Sequence, residues 1–292
     1  MTSEGARLAV VGDLHSGWHD FDVTHLNRSG CEAVLLTGDL SAGGRRDGLR
    51  IARSLSRLER RTLVMPGNND VLDYAQVAAE LSYQRGRAGL MGTDGLATHS
   101  GAETVGYSCH TLCLGEREVS IIGARPFAMG GGELSFPSQL AQSFAVDSLS
   151  ESIDRLKSLV DDAPSNDLLF LGHNGPRGAG AGPEAPWGRD FGDQTGDWGD
   201  PDLREAIVFA RQRGRRVLAV VAGHMHWALR SGGQRRWQTL VDGILHVNAA
   251  RVPRIFQVGA DFVHHFIELT LAGDRVSAAE VLVPRDRSIA QQ

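Results

Sequence analysis

Cysteine is scarce in this chain. Cys31, Cys109 and Cys113 are the only three in 292 residues, an odd number with no CxxC spacing. That excludes a disulfide scaffold and fits a reducing compartment, so a cytoplasmic address is expected. Lysine is almost absent: Lys157 is the single one among 30 basic residues, and the arginines are spread along the chain. Net positive charge is lacking too, since 30 basic against 35 acidic residues leave −5 at pH 7, with a pI near 6.1. No net basic field is available to grip a nucleic-acid backbone, so nucleic acid is not an expected partner. No apolar run approaches the roughly eighteen residues that span a bilayer, and the polar Met1–Arg7 does not resemble a signal peptide. No membrane partner is expected. What the chain does contain, 41% hydrophobic and 22% charged residues, is ordinary globular usage and excludes a disordered or coiled-coil chain. At this length the expectation is one domain over 1–292, with a core from about 6 to 285.

A short apolar run ending abruptly in glycine and a polar residue recurs along the sequence. Leu8–Val11 leads into Gly12-Asp13-Leu14-His15, and Ala33–Leu36 into Thr37-Gly38-Asp39. Leu63–Met65 leads into Pro66-Gly67-Asn68-Asn69-Asp70, Leu168–Leu171 into Gly172-His173-Asn174, and Val217–Ala222 into Gly223-His224-Met225-His226. Such runs read as strands buried on both faces, and strand C-termini are where α/β sheets hold ligands.

Between them lie amphipathic segments. Asp47–Arg61 sets Ile51, Leu55 and Leu58 on one face; Ser148–Glu151 has capping-box spacing ahead of Leu149, Ile153, Leu156 and Val160; Asp200-Pro201 opens a helix to about Arg213. The Arg211, Arg213, Arg215 and Arg216 run complements the dipole at that helix's end. Beyond His226 the period becomes that of strands, with a hairpin from Phe262 to Val283 through Gly273-Asp274. Residues 174–199 break the rhythm, with many glycines plus Trp187 and Trp198, and are expected to form a lid-like loop or substrate wall.

Asp13, His15, Asp39, Asn68, His173, His224 and His226 all fall at or just beyond a predicted strand end. Singly, each is an ordinary turn residue. As a set they point to a metal cluster, because independent turns would not keep choosing nitrogen and oxygen donors at neighbouring strand ends. Mixed imidazole and carboxylate donors suit Mn, Fe, Zn, Co or Ni rather than Ca.

The ordered blocks Asp13-Leu14-His15, Gly38-Asp39, Gly67-Asn68-Asn69-Asp70, Gly172-His173 and Gly223-His224-Met225-His226 resemble the signature of calcineurin-like metallophosphoesterases. Gly172-His173-Asn174-Gly175-Pro176, Gly196–Leu203 and Val247–Arg254 further resemble a cyanobacterial and plastid branch of that family. The resemblance implies an α/β (α+β) fold, a four-layer α-β-β-α sandwich, with two divalent transition-metal ions, manganese favoured. It implies that Asp13, His15 and His226 hold one ion, that Asn68, His173 and His224 hold the other, and that Asp39 bridges them. It implies a phosphoester hydrolase acting on a small phosphorylated metabolite or nucleotide by two-metal in-line displacement. Asp39, Asn69 and His224 are then the catalytic positions.

Asn69 stands where many relatives carry histidine. An amide donates a hydrogen bond but supplies no proton near pH 7, which leans the expectation toward a phosphodiester; the alternative is a plain left-handed turn residue. Arg125, after the strand Val119–Ile122, is a candidate to bind substrate phosphate or an exposed, solvated side chain. Trp187 and Trp198 could stack on a substrate or pack in their own loop. His19, His25, His99, His110, His246, His264 and His265 match no block and are assigned to surface or core. Phosphomonoesterase and nuclease are the alternative activities. A non-catalytic scaffold is disfavoured because it has no need of the ligand set.

Overall fold

In the computed structural model, residues 5–43, 47–91, 101–192 and 195–285 are described; Asp193 and His99 lie outside them. The chain opens with β1 (Ala6–Val11), α1 (Asp20–Arg28), β2 (Ala33–Leu36), α2 (Gly48–Leu55), β3 (Arg61–Val64) and, after a 3₁₀ turn at Asn68–Asp70, α3 (Tyr74–Met91). Then come β4 (Gly101–Thr104), β5 (Ser108–Leu114), β6 (Arg117–Gly123), α4 (Pro137–Phe144), α5 (Leu149–Asp161) and β7 (Asp167–Leu171). The two-residue strands β8 (Gly188–Arg189) and β9 (Gly196–Asp197) precede α6 (Pro201–Gln212) and β10 (Arg216–Ala222). The end is β-rich: β11 (Gln238–Val241), β12 (Ile244–Asn248), β13 (Ile255–Val258), β14 (Asp261–Ala272) and β15 (Arg275–Arg285).

These strands form two sheets. One runs β13-β14-β1-β2-β3-β4, with β15 also on β14; the other runs β11-β12-β10-β7-β6-β5. Strands β1 to β4 are mutually parallel, as are β12, β10, β7 and β6, while β14, β11 and β5 pair antiparallel. Alternation within single strands builds the layers. Leu8, Val10, Leu35 and Leu63 share a core with Ile121, Phe170, Val220 and Val247 between the sheets, and that core continues to Leu156 of α5 and Leu203 of α6. Ala9, Val11, Val34 and Leu36 instead meet Ile51, Leu55, Val77 and Leu81 of α2 and α3. The result is four layers, α-β-β-α.

Every predicted strand and helix recurs, with one shortened. Helix α2 stops at Leu55, short of the expected Arg61, because the Asn27 side chain takes over its end: Nδ2 donates to Arg57 O at 3.2 Å and Oδ1 accepts from Glu59 N at 2.9 Å. At α5 the anticipated cap is present, Ser148 Oγ accepting from Glu151 N at 3.3 Å. No helix among the described residues is long and apolar enough to cross a membrane.

Candidate active site

Because β1, β2 and β3 belong to one sheet and β7 and β10 to the other, their C-terminal ends meet where the two layers face each other. The turns leaving these ends are tight. His15, Asp39 and His224 have φ of 42°, 49° and 65°, a left-handed backbone that non-glycine residues rarely adopt and that clusters at functional sites. Gly38, at φ 108°, lets the β2 turn approach its neighbours, since a Cβ there would lie 2.6 Å from Gly67 N and 2.8 Å from His173 Nδ1.

Two groups of ligand-type atoms result, each with its atoms within 4.8 Å of one another: Asp13, His15 and His226, and Asp39, His173 and His224. Asn68 Oδ1 joins the second group, 2.9 Å from His173 Nε2. The Asp39 carboxylate stands between the groups, with Oδ2 at 3.6 Å from His15 Nε2 and Oδ1 at 3.4 Å from His173 Nε2. His15 Nε2 and His226 Nε2 face each other at 3.0 Å. Asp13, Asp39 and His173 are buried, whereas the His226 side chain is 40% exposed, so the cluster opens to solvent on the His226 side.

The surroundings orient the donors. His173 Nδ1–H donates to Thr37 O at 2.6 Å, turning the Nε2 lone pair into the cluster. Asp13 accepts from Thr37 Oγ1 at 3.1 Å and from His224 N at 3.0 Å. Burial, reinforced by the charge of His173, holds the His224 imidazole neutral down to about 3. Burial also raises Asp13. For Asp39 it pushes the same way, but His173 and the Asn69 N–H outweigh it and the carboxyl is lowered; Asp39 and Asp13 in turn raise His173 against its burial. Two carboxylates thus draw positive charge onto the one imidazole placed between them, and converging lone pairs with fixed tautomers suit divalent cations.

Asn69 is not in the left-handed region; it sits in the 3₁₀ turn, with its N–H 2.8 Å from Asp39 Oδ1 and its amide donating to Asp39 Oδ2 at 2.7 Å. Arg125 corrects both expectations made for it. It is 1% exposed and ion-paired to Asp200 at 2.7 Å and Asp202 at 2.9 Å, and a buried guanidinium held by two carboxylates is closed to substrate. Trp187 is likewise fully buried, donating to Gly223 O at 3.2 Å, and so cannot stack on a ligand. Trp198 packs edge-on against Phe191 with Arg189 over its ring at 4.7 Å. Within the glycine-rich segment, Arg235 and Asn248 hold the backbone at Ala185 and Pro186. Thr37 and Asp70 were not foreseen as supports: Thr37 directly precedes the Gly38-Asp39 block, and Asp70 closes the Gly67–Asp70 block, where it accepts from Gly67 N at 2.8 Å.

Two helix-flanked sheets with an imidazole–carboxylate cluster at their converging strand ends define a metal-binding hydrolase core. The chain belongs to the calcineurin-like phosphoesterase family, whose sequence profile matches residues 6–228. It is a metal-dependent phosphoester hydrolase. Its fold is similar to the protein TT1561 of Thermus thermophilus, with 14% identity over 94% of this chain and 98% of that one at a TM-score of 0.56. It is also similar to a dimetal phosphatase from Danio rerio, with 10% identity over 97% and 100% of the two chains at a TM-score of 0.50. No curated protein sequence matches.

Proposed function

We propose that the protein hydrolyses a small phosphodiester using two divalent transition-metal ions, manganese the favoured pair. Asp13, His15 and His226 would hold one ion, Asn68, His173 and His224 the other, and Asp39 both. When bound, the ions supply Lewis-acid stabilisation and an activated water for in-line displacement. They also recruit an anionic substrate to a protein of net charge −5.

The observation that carries the diester reading is the side chain at position 69. One N–H of the Asn69 amide goes to Asp39 at 2.7 Å, which leaves the second to hold a phosphate oxygen. Neither can be given up to a departing alkoxide near neutral pH. Such a site favours esters whose leaving group departs without a proton donor. Asp39 orients Asn69 through two hydrogen bonds, so the residue between the metal groups also sets the substrate contact.

The test is turnover of bis-p-nitrophenyl phosphate and p-nitrophenyl phosphate by manganese-loaded protein, with Asp39→Asn as background. The diester is expected to be the better substrate, and Asp39→Asn to lose at least about a hundredfold in kcat/KM, on the order of 3 kcal/mol. Monoester preference would overturn the diester reading; wild-type turnover by Asp39→Asn with full metal content would overturn the site.

A further inference from the structure

Three buried side chains from other parts of the chain end on the main chain of the turn that carries His224 and His226. Trp187 donates its indole N–H to Gly223 O at 3.2 Å, Asn248 its amide to Met225 O at 2.7 Å, and Arg235 its Nε–H to His226 O at 3.1 Å. All three are buried, Arg235 at 4% exposure. The turn needs fixing, since His224 holds a left-handed backbone at φ 65°. Arg235 is the one of the three that bonds a ligand-type residue itself. The His226 side chain is 40% exposed, so packing fixes its ring less than its backbone does.

The chain sets Arg235 in place by doubling back after Trp227. Ala228 and Gln234 form a bridge, and Arg235 N donates to Trp227 O at 2.7 Å. The guanidinium then spends its other donors on the glycine-rich segment: Nη1 on the carbonyls of Pro183, Ala185 and Gly188, and Nη2 on Asp190 Oδ1 at 2.7 Å. Asp190 is itself held, accepting from Arg230 N at 3.0 Å. Burying a guanidinium is costly unless its charge is paired and its protons are placed. One carboxylate and four carbonyls do both here. An apolar side chain could fill the same volume, but the planar fork also joins residues 183–190 to the His226 carbonyl.

We propose that Arg235 is a positioning residue for His226, so that its loss weakens the ion held by Asp13, His15 and His226 and spares the ion held by Asn68, His173 and His224. The inference rests on the two-ion reading above. Groups that orient a metal ligand typically contribute about ten- to a hundredfold in metal affinity.

Manganese is titrated into metal-free protein, the free ion is followed by electron paramagnetic resonance, and the melting temperature of each metal-free variant is recorded alongside. Wild type is expected to bind two ions. Arg235→Gln is expected to bind one as tightly as wild type and the other at least about tenfold more weakly. In His226→Ala, which weakens the same ion, adding Arg235→Gln should cost nothing further there, as for two residues acting through one contact. With His224→Ala, which weakens the other ion, the two losses should add. Asp190→Asn leaves Arg235 in place without its charged partner and should weaken the same ion by a smaller factor; it decides the matter if Arg235→Gln does not fold. Unchanged affinity for both ions in Arg235→Gln, or in Asp190→Asn where that variant decides, overturns the proposal. So does a parallel loss of both ions in step with a lower melting temperature, which marks a general structural role, and so does a loss that adds to that of His226→Ala. These three results leave the two-ion reading standing. Fewer than two ions in wild type overturns that reading, and this inference with it.

Discussion

His246 on β12 is 1% exposed, and neither of its ring nitrogens finds a hydrogen-bond partner among the described residues. Burial, aided by the charge of Arg204, pushes its pKa down to about 4. The unfolded chain binds that proton near pH 6.5. The neutral, folded form is therefore fully favoured above about 6.5, and stability is lost as the pH falls from there toward 4. His265, pushed down to about 3 mainly by burial, acts in the same direction. Urea unfolding at pH 5 should show about 2 kcal/mol less stability than at pH 7.5 from His246 alone, and His246→Leu should remove that share of the slope. An undiminished slope in the variant would exclude this histidine as its source. The sequence could separate His246 from the ligand-type histidines only because no glycine-terminated strand precedes it. Arg125 shows the opposite limit: its partners lie 75 and 77 residues downstream, and nothing local distinguishes a buried arginine from one that meets substrate.

At the scale of elements, packing decides what local pattern leaves open. Helices α5 and α6 were legible because the Ser148 cap, the proline at the first position of α6 and the apolar spacing are local, although the Asp200 side chain caps nothing and turns to Arg125 instead. The glycine-rich segment was not, because its order comes from contacts with distant strands: Asn248 Nδ2 bonds both Pro186 O and Met225 O, and Trp187 lies against Gly175. A Cβ on Gly175 would sit 2.0 Å from the Trp187 ring, a contact no side-chain adjustment absorbs while that indole stays fully buried. Gly175→Ala should therefore cost about 1–3 kcal/mol or more and displace the segment, read out as a lower melting temperature with altered tryptophan emission. Wild-type stability and emission would show that the segment is looser than its packing indicates. Because Gly175 lies two residues after His173, the same variant should also weaken metal retention.

At the scale of the whole molecule, two sheets are held face to face by an apolar core while their polar strand ends gather two buried carboxylates and four imidazoles at one edge. Ions bound there favour the folded state over the unfolded one. At a free manganese concentration near 100 times the dissociation constant the gain is about 2.7 kcal/mol, which for a chain of this size raises the melting temperature by roughly 4–5 °C. Chelation should reverse the shift, and Asp39→Asn should abolish most of it. Equal melting temperatures with manganese and with chelator would count against a metal centre.

The sequence by itself determined the strands that end in the glycine-polar turns, the β14–β15 hairpin, helices α2, α5 and α6 and the seven ligand-type positions, since apolar runs, capping and glycine-terminated turns are short-range signals; helices α1, α3 and α4 and the short strands β4, β5, β8, β9, β11 and β13 carry no such marker. It also carried the family resemblance. Only the tertiary structure decided that the five strands carrying the ligand-type residues divide between two sheets, that Arg125 and Trp187 are buried, and that the backbone at Ala185 and Pro186 is held by Arg235 and Asn248. Each of those depends on which residues far apart in the chain share one small volume, and periodicity along the chain carries no record of that.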